Sequence, residues 1–203
     1  MALMDHLLPG SHIRILGDGV IVRPLRSSDF SEWRELRAGS HSHLEPWEPS
    51  SWIADLSFLP FHRGLLGQAR DRWMRREYAL AVCRSYDGAL TGGITLYNFS
   101  RLHPGSAFIG YWCGPAYVRQ GLTRAAIYAT CAYAFEVLKL GRLSAACIAD
   151  NEPSVSLLEQ VGFVREGVAK DYLNINGVSR DHDLFGLESP RYARGETNRG
   201  SLA

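Results

Sequence analysis

Residues 110–134, GYWCGPAYVRQGLTRAAIYATCAYA, combine the residue types that can seat a phosphate. An apolar, aromatic run breaks at Gly114-Pro115, passes Arg119, Gln120 and Gly121, and continues as an alanine-rich helix. A strand feeding a loop that opens a helix turns several backbone N–H groups one way, and the positive end of the helix dipole adds to them. Gly121 lets a ligand approach the backbone closely. Arg119 and Arg124 supply charge and donors for phosphate oxygens. One glycine in such a loop also suits an ordinary strand-to-helix connection, so the loop alone does not decide.

Three other places carry reactive side chains. The segment SHSHLEPWEPSSW, residues 40–52, holds Trp47 and Glu48 and two prolines, and is expected to be irregular. Tryptophans exposed there would form a binding lip, and buried ones a packed Ω-loop. His41 and His43 lack a third ligand nearby, so no metal site is expected. Asp150-Asn151-Glu152-Pro153-Ser154 opens a short helix that ends at Gly162-Phe163, with Asn151 as a plausible cap. Asp181, His182 and Asp183 alternate faces on a strand and cannot form one compact triad, so His182 is read as structural. The four cysteines, Cys83, Cys113, Cys131 and Cys147, have no metal-ligand spacing, lie in apolar runs and read as buried free thiols, which favours a reducing, cytoplasmic setting.

The elements that must position these groups follow from pattern. The chain has 203 residues, 46% apolar and 21% charged, with net charge +1. That suits one domain, expected over 12–188 with a flexible tail at 189–203, and no global field that would attract nucleic acid or membrane. MALMDHLLPGSH has no basic segment before a long apolar one, so no secretory leader is expected. Residues 13–25 read as a hairpin around Gly17-Asp18-Gly19. Asp29 then opens a helix with Glu32 in capping-box spacing. Helical spacing of Leu65, Leu66, Ala69, Trp73 and Met74 predicts a helix over about 61–76, with Arg63, Arg70, Arg72 and Arg75 as a solvated face. Residues 78–84, 90–99 and 107–113 read as antiparallel strands. The helix after the loop buries Ala126, Ile127, Thr130, Ala134 and Leu138 and ends at Gly141. Residues 143–149 return by crossover, parallel to 107–113. Two last strands, 164–173 and 178–187, flank Asn176-Gly177. The fold class is α+β, a mixed and mostly antiparallel sheet flanked by helices, with a V-shaped splay between its two central parallel strands.

The runs IGYWCGPAYVRQGLTRAA, NEPSVSLLEQVGF and REGVAKDYLNINGVSRDHDLFGL together resemble the GCN5-related N-acetyltransferases (GNAT). Within that superfamily they look most like the RimJ/RimL branch, which acetylates N-terminal alanines of ribosomal proteins. The resemblance spans roughly residues 14–187, and Pro46-Trp47-Glu48-Pro49 also looks like RimJ. The family's loop is Gln/Arg-x-x-Gly-x-Gly/Ala. Here it reads from Val118 to Thr123, so its first position has lost a polar group and its last has gained a side chain.

The resemblance implies acetyl-CoA as co-substrate and no metal. Its pyrophosphate would sit on Val118, Arg119, Gln120, Gly121, Leu122, Thr123 and Arg124. Its pantetheine arm would pair with the backbone of Tyr111, Trp112 and Cys113 and bond Asn151. Ser154 would steady the thiolate and Asp171 would act as base, with Glu48 as the competing base or amine-binding group. A helix cap explains Ser154 equally well, and a salt bridge to Lys170 or Arg180 explains Asp171. Trp47 and Tyr172 line the peptide slot or belong to the core. Two groups common in the superfamily are missing, since Leu158 stands at the tyrosine position and Phe108 at the glutamate position. An α-amine, with pKa of about 8, suits a site without a strong base better than lysine at about 10.4. The expected reaction is direct transfer in a ternary complex to a protein N-terminus. The alternatives are a small-amine (antibiotic or polyamine) acetyltransferase and a non-catalytic acyl-CoA-binding module. The chain is expected in the cytoplasm as a monomer or homodimer, without nucleic-acid or membrane partners.

Overall fold

The computed structural model describes residues 10–49, 56–100, 102 and 105–190. Its strands are β1 (Ile15–Gly17), β2 (Val20–Arg23), β3 (Tyr78–Arg84), β4 (Leu90–Ser100), β5 (Ser106–Cys113), β6 (Arg142–Ile148), β7 (Val164–Ile175) and β8 (Val178–Glu188). Its helices are α1 (Phe30–Gly39), α2 (His41–Leu44), α3 (Phe58–Trp73), α4 (Leu122–Glu136) and α5 (Glu152–Val161). The strands form one sheet in the order β1-β2-β3-β4-β5-β6-β8-β7, antiparallel at every junction except β5–β6. That is the expected mixed sheet. No helix among the described residues is long and apolar enough to cross a membrane.

One face of the sheet carries α4 and α5. Ala126, Ile127, Cys131 and Ala134 of α4 and Leu158 and Val161 of α5 pack there against Val20, Val22, Leu80, Ile94, Ile109, Leu143 and Phe185. Small side chains let α4 lie close to the strands. The other face carries α1, whose Trp33 and Leu36 cover Ala81, Cys83 and Leu90. The Trp33 ring lies 4.8 Å from that of Phe61 and joins α3 to this layer.

Four local expectations are corrected. Asp29 and Glu32 do not form a capping box. The Asp29 carboxylate accepts the Arg26 N–H at 2.7 Å and pairs with Arg23 at 2.6 Å, while Glu32 accepts the Leu90 N–H at 2.7 Å. Residues 41–44, expected to be irregular, are helical as α2. α3 starts at Phe58 because Pro60 is tolerated in a first turn, and only Leu65 and Ala69 of its proposed stripe are buried. Leu66 and Trp73 face solvent while Arg72 is buried, a rotation of the stripe that tertiary packing imposes. α4 ends at Glu136 instead of Gly141, and Lys139 takes the left-handed position at φ +60°.

Two glycines let the sheet accept its largest aromatic. A Cβ on Gly93 would stand 2.4 Å from the Trp112 indole nitrogen, and one on Gly92 only 2.2 Å from the Trp112 carbonyl oxygen. Gly93→Ala is expected to destabilise the fold by about 1–3 kcal/mol, read as a lower midpoint in urea unfolding. Gly67→Ala in α3, where a Cβ meets nothing within 4 Å, is expected to leave stability unchanged or raise it by up to about 1 kcal/mol.

Candidate active site

β5 and β6 pair only from Ser106–Phe108 to Arg142–Ser144. Beyond that register β5 continues to Cys113 and β6 to Ile148, bonded on their outer sides to β4 and β8 but no longer to each other. Backbone groups that the two strands turn toward the gap therefore have no strand partner. An extended chain with amides of its own can satisfy them, as a peptide does at a sheet edge.

At the open end of the gap, Pro115–Tyr117 forms a 3-10 turn and the chain enters α4 through left-handed Arg119 (φ +61°) and Gly121 (φ +77°). Gly121 is the N-cap and brings no side-chain cap, so the first N–H groups of α4 stay open to a ligand. Gln120 Nε2 donates to the Ala116 carbonyl at 2.9 Å and Arg124 Nη1 to Gln160 Oε1 at 3.2 Å. Val118, Arg119 and Gln120 are exposed, Leu122 is buried, and Thr123 lies beside the Cys113 thiol.

The N-terminus of α5 forms the other wall. Asn151 Oδ1 accepts the Ser154 N–H at 3.2 Å, so Asn151 does cap this helix, and its Nδ2 has no partner among the described residues. From across the gap the Tyr111 hydroxyl lies 2.8 Å from Ser154 Oγ and 3.3 Å from the Ser154 carbonyl. The Cys147 thiol also lies beside Ser154. Burial raises the Tyr111 phenol far above its ordinary value against a lowering bond from Ser154, and burial raises the Cys147 thiol to about 11. Both groups are neutral near pH 7. Burial also raises the thiols of Cys83, Cys113 and Cys131, the last to about 12. All four cysteines are free.

Trp112 points to the opposite face. Its ring carries the Arg37 guanidinium at 4.5 Å, and Arg37 Nη2 holds Glu48 at 2.8 Å, with both side chains nearly buried. Glu48 and half-buried Trp47 sit in a turn whose N–H groups both return to the Leu44 carbonyl, at 3.1 and 2.8 Å. Asn176, at the tip of the β7–β8 hairpin, donates to the Glu45 carbonyl at 2.8 Å and ties that hairpin to the Trp47–Glu48 turn. Trp52 and residues 50–51 fall outside the described residues. Phe108 lies in a ring pair with Tyr97 at 5.7 Å, and Leu158 is core, so neither position offers an acid or base.

Asp171 sits on a bulge of β7 between Ala169 and Leu173, at φ +50°, with its side chain exposed. Neither expected ion pair forms, because Lys170 pairs with Asp181 at 2.6 Å and Arg180 with Asp150 at 2.9 Å. Tyr172 is 38% exposed and its ring lies 5.1 Å from buried His182, whose Nδ1 is 3.0 Å from the Arg180 carbonyl. No group of metal-ligating side chains occurs among the described residues.

An acetyltransferase (GNAT) domain model matches residues 20–164. The chain belongs to the GNAT family. As a GNAT enzyme it is an N-acetyltransferase that uses acetyl-CoA. The backbone gap and the uncapped first turn of α4 fit an extended arm that ends in phosphates. Among curated relatives, the [ribosomal protein uS5]-alanine N-acetyltransferase of Escherichia coli is 29% identical over 195 residues, 90% of this chain and 94% of that protein. A probable N-acetyltransferase of Bacillus subtilis, YjcK, is 29% identical over 175 residues, 86% of this chain and 96% of its own. Mycobacterium smegmatis RimJ, solved in complex with CoA-disulfide, superposes with TM-score 0.80 at 28% identity, covering 91% of this chain and 94% of that one.

Sequence reasoning missed Arg37, the Tyr111 side chain and Asn176. Arg37 belongs to no motif in the sequence, and only its 2.8 Å ion pair with Glu48 reveals it. Replacing Arg37 with Met leaves the Glu48 carboxylate buried without its partner. Arg37→Met is expected to cost about 3 kcal/mol in urea unfolding, and adding Glu48→Leu to recover most of that loss.

Proposed function

We propose that this GNAT enzyme acetylates the α-amine of a protein N-terminus, an N-terminal alanine or serine of a ribosomal protein, by direct transfer within a ternary complex. The observation that carries the reading is the absence of a buried, unpaired carboxylate on the acceptor side among the described residues. Glu48 is held by Arg37, Asp171 is exposed, and Phe108 and Leu158 are apolar. An α-amine with pKa of about 8 is roughly one-tenth neutral at pH 7 and needs no strong base. A lysine needs roughly 3 kcal/mol more to present its neutral form. The uS5-alanine N-acetyltransferase named among the relatives supports the same substrate class.

In this reading the backbone from Val118 to Arg124 binds the pyrophosphate. The backbone of Tyr111, Trp112 and Cys113 pairs with the pantetheine arm, and Asn151 Nδ2 donates to it. Trp47 and Tyr172 line the peptide slot, and Glu48, fixed by Arg37, shapes its wall. The amine nitrogen bonds the acetyl carbon as the C–S bond breaks, and the electron pair leaves with sulfur. Ser154 holds the sulfur as charge develops there, and Asp171 passes the ammonium proton to water. The raised thiols argue against an acyl-enzyme.

Peptides beginning with Ala or Ser are expected to be acetylated at the N-terminus at least about tenfold faster, by kcat/KM, than N-blocked peptides with a free lysine or than spermidine. Ser154→Ala is expected to lower kcat/KM by about 10²-fold and Asp171→Asn by about tenfold or more. Wild-type kcat/KM in both variants would remove these two residues from the mechanism. A preference for the polyamine would overturn the substrate class.

A further inference from the structure

The bond that Tyr111 makes across the gap has a use that a backbone contact does not explain. A serine hydroxyl has one proton to give and two lone pairs to receive. The Tyr111 hydroxyl stands 2.8 Å from Ser154 Oγ, reaching it from the opposite wall, and the Cys147 thiol lies beside the same oxygen. A neutral phenol is the stronger donor of such a pair, and when it donates to Oγ at 2.8 Å rather than to the Ser154 carbonyl at 3.3 Å, the serine's own proton is free to turn elsewhere. The Ser154 N–H is already given to Asn151, so the hydroxyl is not needed to cap the helix.

We infer that Tyr111 is a positioning residue, whose hydroxyl occupies a lone pair of Ser154 Oγ and so aims the Ser154 proton at the departing sulfur of coenzyme A. The inference rests on the proposed role of Ser154. Tyr111 gives a hydrogen bond and keeps its proton, so no proton is transferred along the pair. The device takes the place of an acid at the Leu158 position, which lies in the core at 1% exposure. The donor is thereby carried by the strand that also lines the cofactor gap.

The test needs no acceptor substrate. Coenzyme A is bound to the enzyme, and the thiolate fraction at fixed pH is read from its ultraviolet absorbance against the complex with desulfo-coenzyme A. Wild type is expected to hold more thiolate than free coenzyme A. Tyr111→Phe is expected to lower that fraction about three- to tenfold, as fits the loss of one hydrogen bond next to a charge. Its calorimetric affinity for acetyl-CoA should stay within about twofold of wild type. Ser154→Ala is expected to lower the thiolate fraction at least as much, and Tyr111→Phe/Ser154→Ala no further than Ser154→Ala alone.

If Ser154→Ala changes nothing, the serine assignment under the proposed function fails, and the inference with it. If Ser154→Ala lowers the fraction and Tyr111→Phe does not, or if the two losses simply add, the inference alone is overturned. Should Tyr111→Phe fail to fold, fluorotyrosine at position 111 replaces it. That more acidic phenol is a stronger donor and is expected to raise the thiolate fraction, so no change or a fall overturns the inference.

Discussion

Hydrogen bonds between β5 and β6 stop at Phe108 and Ser144, although both strands run on, and the groups they turn toward each other need partners that the sheet does not provide. A buried amide left without a partner costs on the order of 1–3 kcal/mol. The gap therefore suits an extended chain of alternating donors and acceptors. Everything else in the site is arranged around it. The loop from Gly114 to Gly121 delivers the uncapped end of α4 to its mouth, and the N-terminus of α5 closes its far wall.

β5 also separates two chemistries, because side chains on a strand alternate faces. Tyr111 turns toward α4 and α5, on the side where Ser154 and Cys147 meet. Trp112 turns toward α1, where its ring supports Arg37 and through it Glu48. In the proposed reading the donor and acceptor halves are built on neighbouring residues of one strand, which fixes their distance through the backbone rather than through a mobile loop. Arg37 connects a cation–π contact to an ion pair, and both are little exposed. Such a pair shapes a wall well, and it makes Glu48 a poor place to put an incoming proton.

Much of the architecture was legible because it is written in local rules. The Asn176-Gly177 pair adopts left-handed geometry at both residues, as the hairpin signal requires, and the strand edges fall within one or two residues of the expected ones. The pairing of β5 with β6 as parallel neighbours followed from the crossover helix alone. What escaped depends on contacts distant in sequence. Glu32 has capping-box spacing, yet it serves the Leu90 amide 58 positions away. Arg72 has the look of a solvent-facing residue and is buried, while Trp73 beside it is exposed. The bulge that lifts Asp171 into solvent is a register shift between β7 and β8, invisible in a composition of alternating residues. Ser154 was identified by family resemblance. Its bond to Tyr111, 43 positions earlier, needed the fold.

The proposal that the acceptor is the α-amine of a ribosomal protein is tested most directly in the cell that makes this chain. Intact-mass and peptide mass spectrometry of its ribosomal proteins, with and without the gene, reads the N-terminal acetylation of every candidate at once. The account predicts that one ribosomal protein beginning with alanine or serine loses its N-terminal acetyl group when the gene is removed, and regains it when the gene is restored. An unchanged acetylation pattern across all ribosomal proteins would contradict it.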